Sequence, residues 1–471
     1  MKPFRNLSES FIRPYWFTGF IALIVLLPLP FGANRPWASD LMGFVASLLL
    51  LGLCRDLYLA RTFWPSGAPK GRLKTSLFLF LIVLLWAFLQ TQSWMPQAWH
   101  HPLWQEAQML PEAFAGSISI DPGMFSESFV RLMTYLFCFL LAFWGGREAV
   151  RAERFIKILA GTAVVYALYG LLMQSTGLRL ILWYPKWAYE EFVTSTFVNK
   201  NSYAAYAGLG LQSCLAILWL YLKRLTSNIA SRRPTRETLI EKLFTRDVYY
   251  FIAVIIVLGA LILSGSRAGI VSSFAGCLAF LLALAINRRW RWTRWVPVAV
   301  IGLFLLLGLS LLNDTSFVDR LGQQQMKVDA PQRLAAYATA LRAIGSNPWL
   351  GFGLGTFENA FRLYRDPSLP YWFLHAHNDY LEAALELGIP AAFLLIAAIT
   401  LLVSCCVQGT WRRRREEIFP ALALGATVSL GLHSFFDFGL QIPALAATYA
   451  ALLGLGVAQS WSSRRAFADK S

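Results

Sequence analysis

Long apolar runs separated by short polar segments recur along the whole chain, and a helix needs about 20 such residues, within a range of about 17 to 25, to cross a hydrocarbon core of roughly 30 Å. The runs lie near 16–32, 41–54, 76–91, 129–145, 155–174, 202–222, 248–264, 268–286, 296–312, 390–408, 418–435 and 442–460. The second is the shortest. The first follows Lys2, Arg5 and Arg13 as a signal sequence would, but no small-residue cleavage site follows it, so it is read as a retained anchor. The pattern predicts an all-α integral membrane protein with about 12 transmembrane helices. It divides the chain into residues 1–312 with nine spans and short loops, a large loop at 313–389, and residues 390–471 with three spans and a tail.

Composition agrees, since 57% of the 471 residues are hydrophobic and only 14% are charged, far from the balance of a soluble domain. Charge then adds sidedness. Cationic loops stay in the cytoplasm, and with both termini inside, the cytoplasmic segments hold about 30 of the 42 Lys and Arg, including those of 223–246, 288–294 and 412–415. The net charge of +16 therefore reports topology and attraction to anionic membrane lipids rather than nucleic acid. All six cysteines fall within or at the ends of spans, where they pack as small apolar side chains.

On this topology the five histidines (His100, His101, His375, His377 and His433) all lie on the outer side. The central portions of the spans carry no Asp, Glu, Lys, Arg or His, whereas an ion-coupled transporter usually needs such groups near the midplane. The distribution suits an enzyme working at the outer membrane surface.

The large outer loop holds most of the candidate chemistry. Pro331 is expected to start a helix through PQRLAAYATALRAIGSNP, on which Arg333 and Tyr337 share a face while Arg342 is turned about 180° away from Arg333. GFGLGTF at 351–357 has GxGxG spacing, but it follows no strand, so it is read as a loop-to-helix connection rather than a dinucleotide site. HAHNDYLEAALELGIP follows at 375–390. A helix is expected from about Ala376, with His377 and Asn378 in its first turn, where free N–H groups favour an anion. Asn378, Glu382 and Glu386 form a polar stripe, leaving the opposite face to pack on the membrane domain, and Asp379 is a candidate to tune His375. His375, His377 and Asp379 also spell the start of the HxHxDH metal motif of metallo-β-lactamase-like hydrolases, but Tyr380 stands where its next histidine would be.

Three further segments border spans. LSGSRAG places Arg267 at an outer boundary, FVNKN places Asn199, Lys200 and Asn201 just before a span with the asparagines as helix caps, and HSFFDFGLQIP places His433 and Asp437 on the last outer turn.

Taken in order, FVNKN, SGSRAG, the arginine-led helix ending in NPWLGFGLGTF, HAHNDYLEAALELGIP and HSFFDFGL resemble the bacterial O-antigen ligase and polymerase superfamily over roughly residues 190–445. The ligase pattern is His, then Asn, Ser or Gln, nine residues, Gly, two residues and a small residue. His377, Asn378 and Gly388 match it, with Ala391 in the last place.

The resemblance implies a GT-C-like membrane fold with a large periplasmic loop containing amphipathic helices, in a bacterial inner membrane. It implies a metal-independent, inverting glycosyltransferase without cofactor, taking an undecaprenyl-diphosphate-linked glycan as donor and a glycan or lipid A core as acceptor. A chain-length regulator or a flippase are the protein partners that would accompany it. Carried onto this chain, the family roles make His377 the catalytic base and Arg267 and Arg333 the diphosphate ligands, with Lys200 an added contact. Asn199, Asn201, Tyr337, His375, Asn378, Asp379, His433 and Asp437 stand as supporting residues. A lipid diphosphate is a leaving group that needs charge neutralised more than protonation, which guanidinium forks supply. An imidazole suits proton removal from an acceptor hydroxyl. Polymerisation of repeat units is favoured, with ligation to lipid A core as the alternative, then transfer to protein Ser or Thr, and a lipid or polysaccharide permease as the rival outside enzymes.

Overall fold

The computed structural model describes residues 14–61, 68–107, 109, 115–230, 248–286, 323–366, 373–413 and 415–461. The described chain is almost entirely helical, with a single two-stranded antiparallel hairpin, β1 (Leu180–Ile181) and β2 (Tyr184–Pro185). The helices are α1 (Tyr15–Leu26), α2 (Pro36–Leu59), α3 (Lys70–Leu89), α4 (Leu103–Ala107), α5 (Phe125–Gly145), α6 (Ala149–Ser175), α7 (Lys200–Ala230) and α8 (Val248–Leu263). After them come α9 (Arg267–Ile286), α10 (Gln323–Ser346), α11 (Phe357–Tyr364), α12 (Asp379–Leu387), α13 (Ile389–Arg412), α14 (Ile418–His433) and α15 (Pro443–Ala458).

Among the described residues seven helices are long and apolar enough to cross a membrane (α2, α3, α5, α6, α7, α9 and α13), and α1, α8, α14 and α15 are shorter apolar helices. The chain is an all-α, multi-pass membrane protein. Every span expected from the apolar pattern falls on one of these helices, except that at 296–312, which lies outside the described residues. Two boundaries differ. The second run is no short helix, because α2 continues through the polar ends of 41–54 to cover 24 residues. The first stops early at Leu26, because Pro28 and Pro30 cannot donate to a continuing helix.

The bundle is held by close helix pairs, α9 on α14, α5 on α15, α3 on α13, and α7 against α6, α8 and α9. Small residues permit the closest approaches: a Cβ on Gly276 of α9 would lie 2.6 Å from the Gly425 carbonyl oxygen of α14. The bundle has two chemically different ends. At one end, Lys223 pairs with Glu417 at 2.6 Å, Arg224 with Glu153, and Arg147 donates to the Ala458 carbonyl. At the other end lie the starts of α7 and α9, the end of α14, and the non-spanning helices α10, α11 and α12.

Within that second end, α10 begins at Gln323, so Pro331 lies inside the helix rather than at its start. A proline holds helical φ but cannot donate back to residue 327, so the helix runs through Pro331 without that hydrogen bond. The segment 351–355 acts as a backbone zipper: Phe352 N–H donates to Leu385 O at 3.0 Å and Gly353 N–H to Glu386 O at 2.9 Å. Gly351 is required here, because its φ is +72° and a Cβ would meet the Glu386 oxygen and the Gly388 nitrogen, both at 2.4 Å. Gly351→Ala is therefore expected to destabilise the protein by about 2–3 kcal/mol, read as a lowered melting temperature in detergent. An unchanged melting temperature would mean that the zipper does not hold α12.

Candidate functional site

The site is built where the turn after α14 meets the residues leading into α12. Asn378 is the N-cap of α12, its side-chain oxygen accepting from Tyr380 N and Leu381 N, both at 3.0 Å. The helix thus starts at Asp379, two to three residues later than expected, and His377 lies ahead of the cap rather than in the first turn. Its φ of +50° is unusual for a side chain that is not glycine, and the neighbours maintain it. Tyr337 of α10 donates its hydroxyl to the His377 carbonyl at 2.8 Å and to Phe435 O at 3.2 Å, and Asn378 Nδ2 donates to the same Phe435 carbonyl.

This conformation turns the His377 ring toward Asp437, Nδ1 to Oδ1 at 3.2 Å, and packs it edge-on to Phe438 and Phe373. Asp437 is 1% exposed. Burial pushes its carboxyl up, but the His377 hydrogen bond and the charges of His377, His433 and Arg333 outweigh this and hold it well below the usual carboxylate range. An ionised carboxylate only accepts, so Nδ1 must carry a hydrogen. In the neutral ring Nε2 is then left as the basic nitrogen.

The other expected residues gather to different degrees. Arg333 Nη1 donates to the Phe436 carbonyl at 3.0 Å, beside Asp437, and makes no ion pair within 4.0 Å among the described residues. His433, 1% exposed, closes α14 next to the Asn201 backbone. Asn199 caps α7, accepting from Asn201 N at 2.8 Å. Lys200 Nζ lies 3.6 Å from the centroid of Phe192, whose ring also lies against Gly265 in the turn before Arg267. Phe192 therefore links Lys200 to the turn that precedes Arg267. Arg342 faces away, donating to Thr339 Oγ1 at 3.2 Å and Tyr364 O at 3.4 Å, as expected from its place on the helix.

Two expectations on α12 are corrected. The polar stripe Asn378, Glu382 and Glu386 does not leave packing to the opposite face alone, since all three of its side chains are buried. Their oxygens are consumed by groups inside: Glu382 accepts from Ala376 N and bonds His375 Nδ1 at 2.9 Å, while Glu386 accepts from Phe357 N. It is therefore Glu382, not Asp379, that tunes His375. Burial would lower the His375 pKa, but the charge and hydrogen bond of Glu382 raise it above the ordinary value. The three HxHxD side chains consequently diverge, His375 to Glu382, His377 to Asp437, and Asp379 to Ser434 Oγ at 2.6 Å and Leu440 N at 3.2 Å.

The apolar pattern concealed one further feature. A cavity of about 330 Å³ opens on the other side of α12, between α3, α5, α13 and α15. Leucine and phenylalanine side chains line most of it, and its polar end carries Arg131, Tyr135, Asp379 and Glu386. Arg131 Nε, Tyr135 Oη and Asp379 Oδ1 are buried there without a hydrogen-bond partner. Burial pushes Asp379 from 3.8 up to about 8, so at neutral pH it carries a proton, and Oδ1 is the oxygen left to donate. Arg131 was detectable in sequence as a lone cation beside an apolar run, but nothing local linked it to residues 248 positions later.

Because the folded carboxyl of Asp379 titrates above its unfolded value of 3.8, its contribution to stability is fully present below about 3.8, declines as pH rises and levels off above about 8. Asparagine can still accept from Ser434 and Leu440 and has no such pH dependence. Asp379→Asn is expected to gain on the parent, by about 2–4 °C in melting temperature, between pH 4 and pH 8.5 in a thermal-shift assay. Parallel pH curves for the two proteins would show that Asp379 is not held neutral.

Compared with known families, residues 252–396 match the model described as O-antigen ligase. None of the curated proteins compared with the chain matched it. The matched segment starts in α8 and ends in α13, taking in Arg267, Arg333, Tyr337, His375, His377, Asn378 and Asp379 but not Lys200, His433 or Asp437. Over residues 252–396, set in an apolar helical bundle, the match supports the O-antigen ligase/polymerase superfamily.

Proposed function

We propose that the protein is an inverting glycosyltransferase that moves a glycan from an undecaprenyl-diphosphate donor to an acceptor sugar hydroxyl. The observation that carries this is the His377–Asp437 pair, Nδ1 to an ionised buried carboxylate, with Arg333 beside it at the end of the bundle. The acceptor oxygen attacks the anomeric carbon from the face opposite the diphosphate. As the new C–O bond forms, the acceptor proton passes to His377 Nε2, and the bond to the phosphate oxygen breaks with its electron pair on the departing lipid diphosphate. Arg333, Arg267 and Lys200 neutralise that charge, and no metal is required. Tyr337 and Asn378 hold the backbone of His377, and His433 supports Asp437. The apolar cavity beside α12 offers a lipid chain a place next to the chemistry.

In this reading the chain crosses the membrane about 12 times in a GT-C-like fold. Residues 313–389 form the periplasmic loop between the nine spans of 1–312 and the three of 390–471, and both termini are cytoplasmic. The end carrying Arg147, Lys223, Arg224 and Arg413 is the cytoplasmic one, in keeping with the preference of cations for that side.

Polymerisation of lipid-linked repeat units is the favoured reaction, since the last place of the ligase pattern, where a residue such as Gly is expected, holds Ala391. The match to a family described as O-antigen ligase favours ligation to lipid A core as the second reading. Reconstitution with an undecaprenyl-diphosphate repeat unit, alone and then with lipid A core, in the presence of EDTA, separates them. A ladder without added acceptor supports the polymerase and a single core-linked product the ligase. Complete loss of activity with EDTA would overturn the metal-independent mechanism.

A further inference from the structure

A second cavity, of about 490 Å³, lies away from His377, between the segment 98–106 and the ends of α10 and α11. Its size is within the roughly 300–1,000 Å³ of small-molecule sites. Trp99, His101, Glu106, Ser346, Asn347 and Tyr364 supply its rings and polar groups.

Their hydrogen-bond states follow from their neighbours. His101 Nδ1 accepts from Leu103 N at 3.2 Å, so the proton of the neutral ring is on Nε2, a donor. Burial lowers the His101 pKa against the opposing charge of Glu106, which keeps the ring neutral at pH 7. Ser346 donates its hydroxyl to Ala343 O at 2.7 Å, so in the 2.7 Å contact with Tyr364 the tyrosine is the donor, and the lone pairs of its oxygen are left to accept. Asn347 Nδ2 donates to Gly351 O at 2.7 Å, leaving the amide oxygen as an acceptor. Trp99, 41% exposed, offers its indole face.

The balance of these groups selects a ligand class. Among the described residues lining the cavity, Glu106 carries the one carboxylate beside the two imidazoles of His100 and His101, and a carboxylate disfavours phosphate, nucleotide or acidic lipid. A pyranose has an apolar C–H face that stacks on an aromatic ring and a rim of hydroxyls that both donate and accept, which matches an indole beside one donor and several acceptors.

The position also fits. The His101 ring packs tilted against Phe352 with centroids 5.4 Å apart, and Phe352 N–H donates to Leu385 O, so the cavity borders the last turn of α12. His377 precedes the first turn, and nine helical residues separate the two ends by about 13 Å. That is the span of a short oligosaccharide.

We propose that this cavity is a glycan subsite, binding uncharged sugar units of the acceptor or donor chain that lie beyond the unit reacting at His377. The proposal rests on the glycosyltransferase reading, and it adds a length-dependent contribution to substrate affinity.

The test uses oligosaccharides of one, two and three repeat units, released from the producing cell's own surface polysaccharide. In the purified full-length protein carrying His377→Ala, saturation-transfer NMR should detect the two- and three-unit glycans. Adding Trp99→Ala should weaken that binding about tenfold, and Trp99→Phe, which keeps an aromatic face, should restore most of it. In otherwise unaltered protein, Trp99→Ala should raise KM for long acceptors and leave kcat and the one-unit KM within about twofold. Tyr364→Phe, which removes the accepting oxygen together with the hydrogen bond it donates to Ser346, gives a second, milder increase. Binding and KM that ignore both Trp99 and Tyr364 would overturn the subsite while leaving catalysis by His377 intact. If His377→Ala retains turnover, the glycosyltransferase mechanism fails instead, and the binding measurement still decides the subsite.

Discussion

Replacing His377 with alanine is expected to lower turnover by about 10²- to 10⁴-fold, the range for loss of a positioned general base. The alternative is that His377 merely braces its loop, and Asp437→Asn distinguishes the two. The amide is isosteric, can still accept from Phe438 N as Asp437 does at 2.9 Å, and leaves the loop in place. What it lacks is the charge that requires Nδ1 to donate. Loss of that charge should reduce kcat by about 10²-fold or more with little change in donor KM. His377→Gln preserves a polar side chain but no base and should be as inactive as alanine. Single-turnover assays on the three variants, with melting temperatures as a control for folding, provide the check. Near-parental kcat in Asp437→Asn would remove the carboxylate from the mechanism.

Arg333→Ala carries the second large effect, a fall in kcat/KM of about 10²- to 10³-fold. Arg333 spends one donor on the Phe436 carbonyl and makes no ion pair within 4.0 Å among the described residues, so its charge faces the site uncompensated by a bonded acid. Lysine at 333 should recover only part of the activity, because a point charge lacks the planar fork that grips two phosphate oxygens. Arg342→Ala is the internal control. Its guanidinium is on the far side of α10, engaged with Thr339 and the Tyr364 carbonyl, and its removal should leave kcat/KM within about threefold. Equal losses for the two arginines would mean that any cation in this region suffices and that no specific phosphate clamp exists.

Membrane character and the resemblance to the O-antigen ligase family were legible in the sequence because both are written locally. An apolar run long enough to span a bilayer announces its own helix, and the family's motifs are short and ordered. Boundaries were less legible where proline or polar residues interrupted a run: prolines 28 and 30 ended α1, whereas α10 accommodated Pro331. The stripe on α12 was misread for a similar reason. Helical spacing places Asn378, Glu382 and Glu386 on one face, but spacing does not say which face is inward. Backbone N–H groups at Ala376 and Phe357 donate to the carboxylates only once the loops have folded around them.

By itself, then, the chain's order of residues determined an apolar helical protein and marked His377 and Arg333, on segments between its spans, as candidate chemistry. Tertiary structure alone decided that His377 pairs with Asp437, 60 positions away, that Glu382 rather than Asp379 claims His375, and that Arg131 heads an apolar cavity. The reason is physical: propensity and hydropathy act over a few residues. Hydrogen-bond partners and proton affinities instead depend on which distant segments exclude water together, and that is set only when the helices pack.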